Sequence, residues 1–236
     1  MSFIEHLTEL RTRLIRCLIA IALLFVPMSF FAQEIYTFVA TPLIEALPTG
    51  QQMIATQVTS TFFVPFKLTF FCALALAAPV ILHQVWSFIA PGLYSHEKKI
   101  VTPILVSSVF LFYLGICFAF YLVFPVLLNF FAAMAPEGVQ FMPDIQEYLS
   151  VALKLFFAFG LAFEIPVAII LLLQAGVVTV EGLSNARPYI VIGCFIFGML
   201  LTPPDIFSQT LLAIPMWALF EAGLIIGKRL ASNHDV

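Results

Sequence analysis

Hydrophobic residues in this chain come in long blocks, not in alternation with polar ones. Blocks at residues 14–31, 65–86, 101–128, 148–173, 188–201 and 206–226 carry few charges. A helix needs about 20 mostly apolar residues to cross the hydrocarbon core of a bilayer. Hydrocarbon solvates no unpaired peptide group, and no strand-like period is visible in the blocks, so the pattern predicts helices. The expected fold is all-α: one polytopic membrane domain over residues 1–236, with six transmembrane helices, an amphipathic N-terminus at 1–13 and a tail at 227–236. No internal repeat stands out, so the inverted-repeat plan of many transporters finds no support.

The fifth block is short. Residues 189–201 lie between Arg187-Pro188 and Thr202-Pro203-Pro204. At about 1.5 Å per residue they reach about 20 Å, against a core of about 30 Å. Such a helix requires local thinning of the bilayer or shelter by its neighbours. The connection LTPPD that follows reads as a helix start, with Thr202 as cap, Pro203 at the first position and Asp205 three residues after the cap.

Ahead of the first block stands FIEHLTELRTRL, in which Phe3, Leu7, Leu10 and Leu14 recur at helical spacing. This predicts an amphipathic helix leading into the first span. Glu9 and Arg13 are placed for an i,i+4 pair. Two readings stay open: an interfacial anchor whose charges neutralise each other, or a carboxylate, Glu9, offered to a cationic partner.

Composition supports the membrane reading. Hydrophobic types make up 62% of the chain and charged types 10%, whereas soluble domains average about 45–50% and about 25%. So few charges cannot cover a soluble surface. The net charge of −3 says little; what orients a membrane chain is where Lys and Arg fall. Arg11, Arg13 and Arg16, then Lys98 and Lys99, Arg187, and Lys228 with Arg229 mark one side. Glu34, Glu45, Glu137, Asp144 and Glu147 mark the other. Both termini are expected inside. No small-residue cleavage site follows the first block, which is expected to remain as an anchor.

Chemistry-bearing motifs are scarce. Cys17, Cys72, Cys117 and Cys194 each sit in an apolar run and read as packing residues. No Walker A loop, HExxH or GxSxG occurs, so neither ATP hydrolysis nor metal-assisted or serine chemistry is indicated. No enzyme activity, cofactor, metal or nucleic-acid partner is expected. Two carboxylates stand out beside Glu9. Glu97 lies among His96, Lys98 and Lys99 in APGLYSHEKK, on the same expected side as Glu9. Two such carboxylates could hold two guanidinium groups. Glu164 sits in AFGLAFEIPVAI, inside an apolar block and two residues before Pro166. A mid-membrane acid costs about 2.5–3.5 kcal/mol on insertion scales. Hydrogen-bonded structural group, proton carrier and polar handle for another membrane helix all remain open for it.

Taken together, HLTELRTRL, IAPGLYSHEKK, APEGVQ, AFGLAFEIPVAI and GMLLTPPDIFSQTLLAIP resemble the TatC family, the core subunit of the twin-arginine protein translocase. The resemblance implies a curved, glove-like six-helix bundle with both termini inside, in the bacterial cytoplasmic (inner) membrane. It implies a receptor for twin-arginine signal peptides of folded precursors, working with TatA, TatB, other TatC copies and the lipid bilayer, and driven by the proton-motive force. Matched by motif, it assigns peptide recognition to Glu9 and Glu97, with Arg11 and Phe88 nearby. It places Glu164 on the concave face as an intramembrane partner contact. Asp205 and Gln209, and Pro42 and Phe62 in the first outer loop, become candidates on the outer side. The alternative from another class is an ion-coupled secondary transporter using Glu164 as its proton site. Against it stand the absence of repeats and the lack of a second mid-membrane titratable group, since Glu221 lies toward the inner end of the last block.

Overall fold

The computed structural model describes residues 3–45, 53–89, 98–136, 142–202 and 205–232. In chain order the helices are α1 (Phe3–Ser29), α2 (Ala32–Glu45), α3 (Ser60–Leu76), α4 (Ala78–Ile89), α5 (Lys98–Phe118), α6 (Phe124–Ala133), α7 (Ile145–Ala162), α8 (Ile165–Gln174), α9 (Val180–Asn185), α10 (Arg187–Leu201) and α11 (Ile206–Ser232). A π-helical turn, Ala119–Val123, joins α5 to α6. Among the described residues the one extended pairing is an isolated bridge between Ile54 and Asp144.

Among the described residues, four helical stretches are long and apolar enough to cross a membrane: Leu7–Ser29, Pro103–Ala133, Ile145–Gln174 and Ile206–Arg229. They fall on the first, third, fourth and sixth expected blocks. The second block is a bent pair, Ser60–Leu76 and Ala78–Phe88, at 53°. The fifth is α10, whose 15 residues rise about 22 Å. Its shortness in the sequence is thus a real helix length. α1 runs unbroken from the amphipathic segment into the first block.

The first connection contains a helix, α2, and one local expectation, at the LTPPD corner, is corrected. Ile35, Tyr36 and Val39 share one face of α2 and pack on Val64, Leu68 and Leu149. At the LTPPD corner, Thr202 does not open α11. It is the extended residue that ends α10, and its hydroxyl donates back to the Gly198 carbonyl at 3.1 Å. Asp205 caps α11 instead, accepting the Ser208 N–H at 2.7 Å. A carboxylate adjacent to the helix start reaches those free N–H groups better than a hydroxyl already bonded to the preceding helix.

The helices gather into two compact units: Met1–Phe88 with Phe120–Lys154, and Ile89–Ala119 with Leu155–Val236. In the first, Val64, Leu68 and Leu149 form the core, and the Phe124 and Tyr148 rings meet edge to face at 5.2 Å. Its connections are tied at Asp144. The Ile54 N–H donates to the Pro143 carbonyl at 3.1 Å, and the Ile145 N–H to the Ile54 carbonyl at 2.9 Å. The Thr56 hydroxyl and N–H both donate to Asp144 Oδ2, at 2.5 and 2.9 Å. Asp144 Oδ1 accepts the Gln146 N–H at 2.8 Å and so caps α7. These bonds, the Thr56 hydroxyl foremost, hold the Asp144 carboxyl down at about 2.

In the second unit α8 and α11 pack through Ile169, Phe220 and Leu224. The contact depends on small residues, as membrane helix interfaces do. A Cβ on Gly223 would lie 2.8 Å from Pro166 Cα. Gly115 likewise lets α5 approach the Phe159 carbonyl of α7. α10 closes on this unit through Cys194, which packs with Ala162, Ala213 and Met216. That is the packing role expected for the cysteine.

Two outcomes are expected. The Asp144 carboxyl titrates lower in the fold than its ordinary 3.8, so the tie contributes fully above about pH 4 and is lost as the pH falls toward 2. In detergent, the gap in melting temperature between the native chain and Asp144→Asn should narrow over that interval; a gap that widens there contradicts the assignment. Separately, Gly223→Ala should destabilise by about 1–3 kcal/mol through overpacking. Gly193→Ala, where no atom lies within 4 Å of an added Cβ, should be near neutral in the same thermal measurement.

Candidate functional site

One cluster forms where α1 and α4 meet in the first unit. Glu9 and Arg13 stand one helical turn apart on α1. Arg13 donates from Nε and Nη2 to Glu9 Oε1, at 3.0 and 2.5 Å. The pair read from i,i+4 spacing is therefore made. The same guanidinium donates from Nη1 to the Gln84 carbonyl of α4 at 3.2 Å, and its carbon lies 6.0 Å from the Phe88 ring centroid. Gln84 and Phe88 are also one turn apart, so α4 presents a carbonyl and a ring to the same group. A groove of about 480 Å³ runs along α1 past Glu5, Glu9 and Arg13. Arg11 is exposed on this helix. Glu97 lies outside the described residues. The Gln84 carbonyl was invisible to sequence reading, because every residue offers one and only the α1–α4 crossing selects it.

A second cluster surrounds Glu164 in the second unit. α7 ends at Ala162 and α8 begins at Ile165, leaving Glu164 at the break. Pro166 has no N–H to continue the α7 ladder, which explains a break at this point. The carboxylate is 8% exposed. Its Oε2 accepts the hydroxyl of fully buried Ser108, on α5, at 2.5 Å. Its Oε1 is buried with no hydrogen-bond partner among the described residues. Aromatic rings wall the neighbourhood, with Phe118 5.6 Å from Phe163 and 5.4 Å from Phe159. Sequence reading missed Ser108; the only signal was a Ser107-Ser108 pair inside an apolar block.

The outer-side candidates divide between the units. Pro42 falls in α2. Phe62, in the first turn of α3, is 59% exposed and stacks on Phe66 at 4.8 Å. Asp205 caps α11, and its carbonyl accepts the Gln209 N–H at 3.1 Å. Asp205 Oδ2 and Ser208 Oγ are buried without hydrogen-bond partners among the described residues. Asp205 thus organises the turn into α11, which Gln209 joins through its main-chain N–H. A further pair was not foreseen: Arg187, at the start of α10, grips Glu221 of α11 with two bonds of 2.7 and 2.9 Å. A separation of 34 residues hides such a pair from spacing arguments.

No group of three His, Cys, Asp or Glu able to hold a metal occurs among the described residues. What the α1–α4 cluster offers is recognition of a planar cation. It combines a charged acceptor, a neutral acceptor and an aromatic face, the three partners a guanidinium uses.

Comparison with known proteins agrees with this architecture. Residues 5–215 match the family model described as "Sec-independent protein translocase protein (TatC)". The chain is 57% identical over 235 residues to the TatC protein of Azotobacter chroococcum mcd 1, covering 100% of this chain and 92% of that protein. It is 56% identical over 225 residues to that of Escherichia coli (strain K12), covering 95% and 87%. A crystal structure titled as the twin arginine translocase receptor TatC superposes with a TM-score of 0.82 at 37% identity, over 94% of this chain and 98% of that one. A family match across most of the length, relatives above half identity and a shared helical fold lead to one conclusion: the chain belongs to the TatC family of Sec-independent protein translocase proteins, a non-enzymatic transport family of multi-pass membrane proteins.

Proposed function

We propose that this chain is the receptor and core component of the twin-arginine translocation pathway in the bacterial cytoplasmic membrane. It binds twin-arginine signal peptides of folded precursors and, with TatA, TatB and further copies of itself, mediates their export driven by the proton-motive force. The observation that carries this reading is the seat made by Glu9, the Gln84 carbonyl and Phe88, which already holds a guanidinium. An arginine cannot shed its charge, so a carboxylate is the partner that best offsets it in a part-buried site. Two arginines call for two, and Glu97 is the second. Both lie on the cytoplasmic side if both termini are inside, as the placement of Lys and Arg argues. Arg11 stands on the exposed side of the same helix, within reach of a bound peptide backbone.

Glu164 serves a later step in this reading. Its Oε1, without a hydrogen-bond partner among the described residues, accepts a donor from a polar residue on a TatA or TatB helix, while Ser108 holds the other oxygen. An acceptor left unmatched in a dry interior costs about 1–3 kcal/mol, which a partner helix relieves. The brevity of α10 acts alongside it by thinning the bilayer where cargo passes.

Two experiments test these roles. Replacing Glu9 and Glu97 together with Gln should weaken binding of a twin-arginine peptide in membranes by about 30- to 150-fold, since at each site a charged hydrogen bond of about 1.5–3 kcal/mol gives way to a neutral one of about 0.5–1.5 kcal/mol. Undiminished binding in that variant would sink the recognition claim. Glu164→Ala should reduce photo-crosslinks to the TatA and TatB helices and slow transport. If crosslinks and transport both stayed intact, Glu164 would be a structural group only.

A further inference from the structure

Arg13 is held by more than a helix-surface ion pair requires. Such a pair needs only Glu9, one turn away. Here Nε and Nη2 go to Glu9 Oε1, Nη1 goes to the Gln84 carbonyl, and the group sits 6.0 Å from the Phe88 ring. The carbonyl and the ring come from another helix, Gln84 lying 71 residues along the chain. A carboxylate, a carbonyl and a ring face are also what an arginine from outside would use. The side chains of Arg13 and Glu9 keep 17% and 26% of their surface, so the seat is accessible from the groove along α1.

We propose that Arg13 is a built-in competitor. In the resting chain it fills the guanidinium seat made by Glu9, the Gln84 carbonyl and Phe88, and an arginine of the incoming peptide displaces it. This rests on the receptor reading above and adds to it the residue that sets the working affinity of the seat.

The competition has a definite signature. A ligand that binds only when the seat is vacant has its apparent Kd raised by the inverse of the vacant fraction. The factor is the same for every ligand of that seat. Arg13 therefore weakens all of them equally, leaves the preference for arginine over lysine unchanged, and drops weak cationic segments below useful binding. A positioning role for Arg13, in which it holds Glu9 ready for the peptide, predicts the opposite sign: loss of Arg13 would then weaken binding.

The test measures fluorescence anisotropy of a labelled peptide with two adjacent arginines, titrated against the full chain in lipid nanodiscs. Arg13→Gln should bind about fivefold tighter than the native chain, the size expected for removing one exposed ion pair. Arg13→Lys keeps the charge but cannot bond Glu9 and the Gln84 carbonyl at once, so it should show part of that gain and also controls for folding. In a Glu9→Gln background the gain should vanish. A two-lysine peptide should gain by the same factor as the two-arginine one. Unchanged or weaker binding by Arg13→Gln overturns the proposal. So does Arg13→Lys matching the native chain, which would assign the gain to the general field, or a gain that survives Glu9→Gln. Failure of the receptor reading looks different, since Glu9→Gln alone would then bind as tightly as the native chain.

Discussion

Hydrocarbon offers no hydrogen-bond partner, and the placement of polar groups in this chain follows from that constraint. Every peptide group in a span must be paired within the protein, which is why the described spans are helices. Side-chain hydroxyls obey the same rule. Buried Thr69 donates to the Pro65 carbonyl one turn back, at 2.8 Å, where proline has interrupted nothing but the donor side of its own position. Thr202 does the same to Gly198 at the end of α10. Ser108 spends its hydroxyl on Glu164. What remains unmatched is therefore informative, and Glu164 Oε1 is such an atom.

The constraint also separates the two acids that a twin-arginine receptor would use most visibly. At the α1–α4 crossing, Arg13 and Glu9 keep 17% and 26% of their side-chain surface, so the carboxylate can change partners there without moving a helix. Glu9 is suited to exchange there. Glu164 is 8% exposed and gripped by a buried serine, so exchange would require moving helices. Under the proposed function the first suits binding and release, and the second a fixed contact that another helix completes. α10 links the two themes: too short to cross a normal bilayer, it is secured at one end by Arg187 on Glu221 and along its length by Cys194 against α7 and α11.

Much of the helical plan was legible because long apolar blocks have few competing interpretations. α2 was not, since a 14-residue helix outside a long apolar block gives a weak periodic signal beside its neighbours. The LTPPD corner misled for a local reason: Thr202 and Asp205 both fit a cap pattern, and only the bond from Thr202 to Gly198 decides between them. The i,i+4 geometry of Glu9 and Arg13 was readable, as spacing along one helix always is. The Gln84 carbonyl, the Ser108 hydroxyl and the Arg187–Glu221 grip were not, because each depends on which helices come together. Glu97 was legible as a second carboxylate on the expected side of Glu9, and family resemblance added its role in peptide recognition.

Under the proposed function, recognition belongs to the α1–α4 crossing and a fixed, partner-facing role to the embedded acid. A photo-crosslink map from one twin-arginine peptide, with its reactive group beside the arginine pair, tests that placement most directly. Adducts should concentrate on residues 5–16 and 81–99. A map dominated by residues around Ser108 and Glu164, with α1 and α4 unmarked, would contradict it.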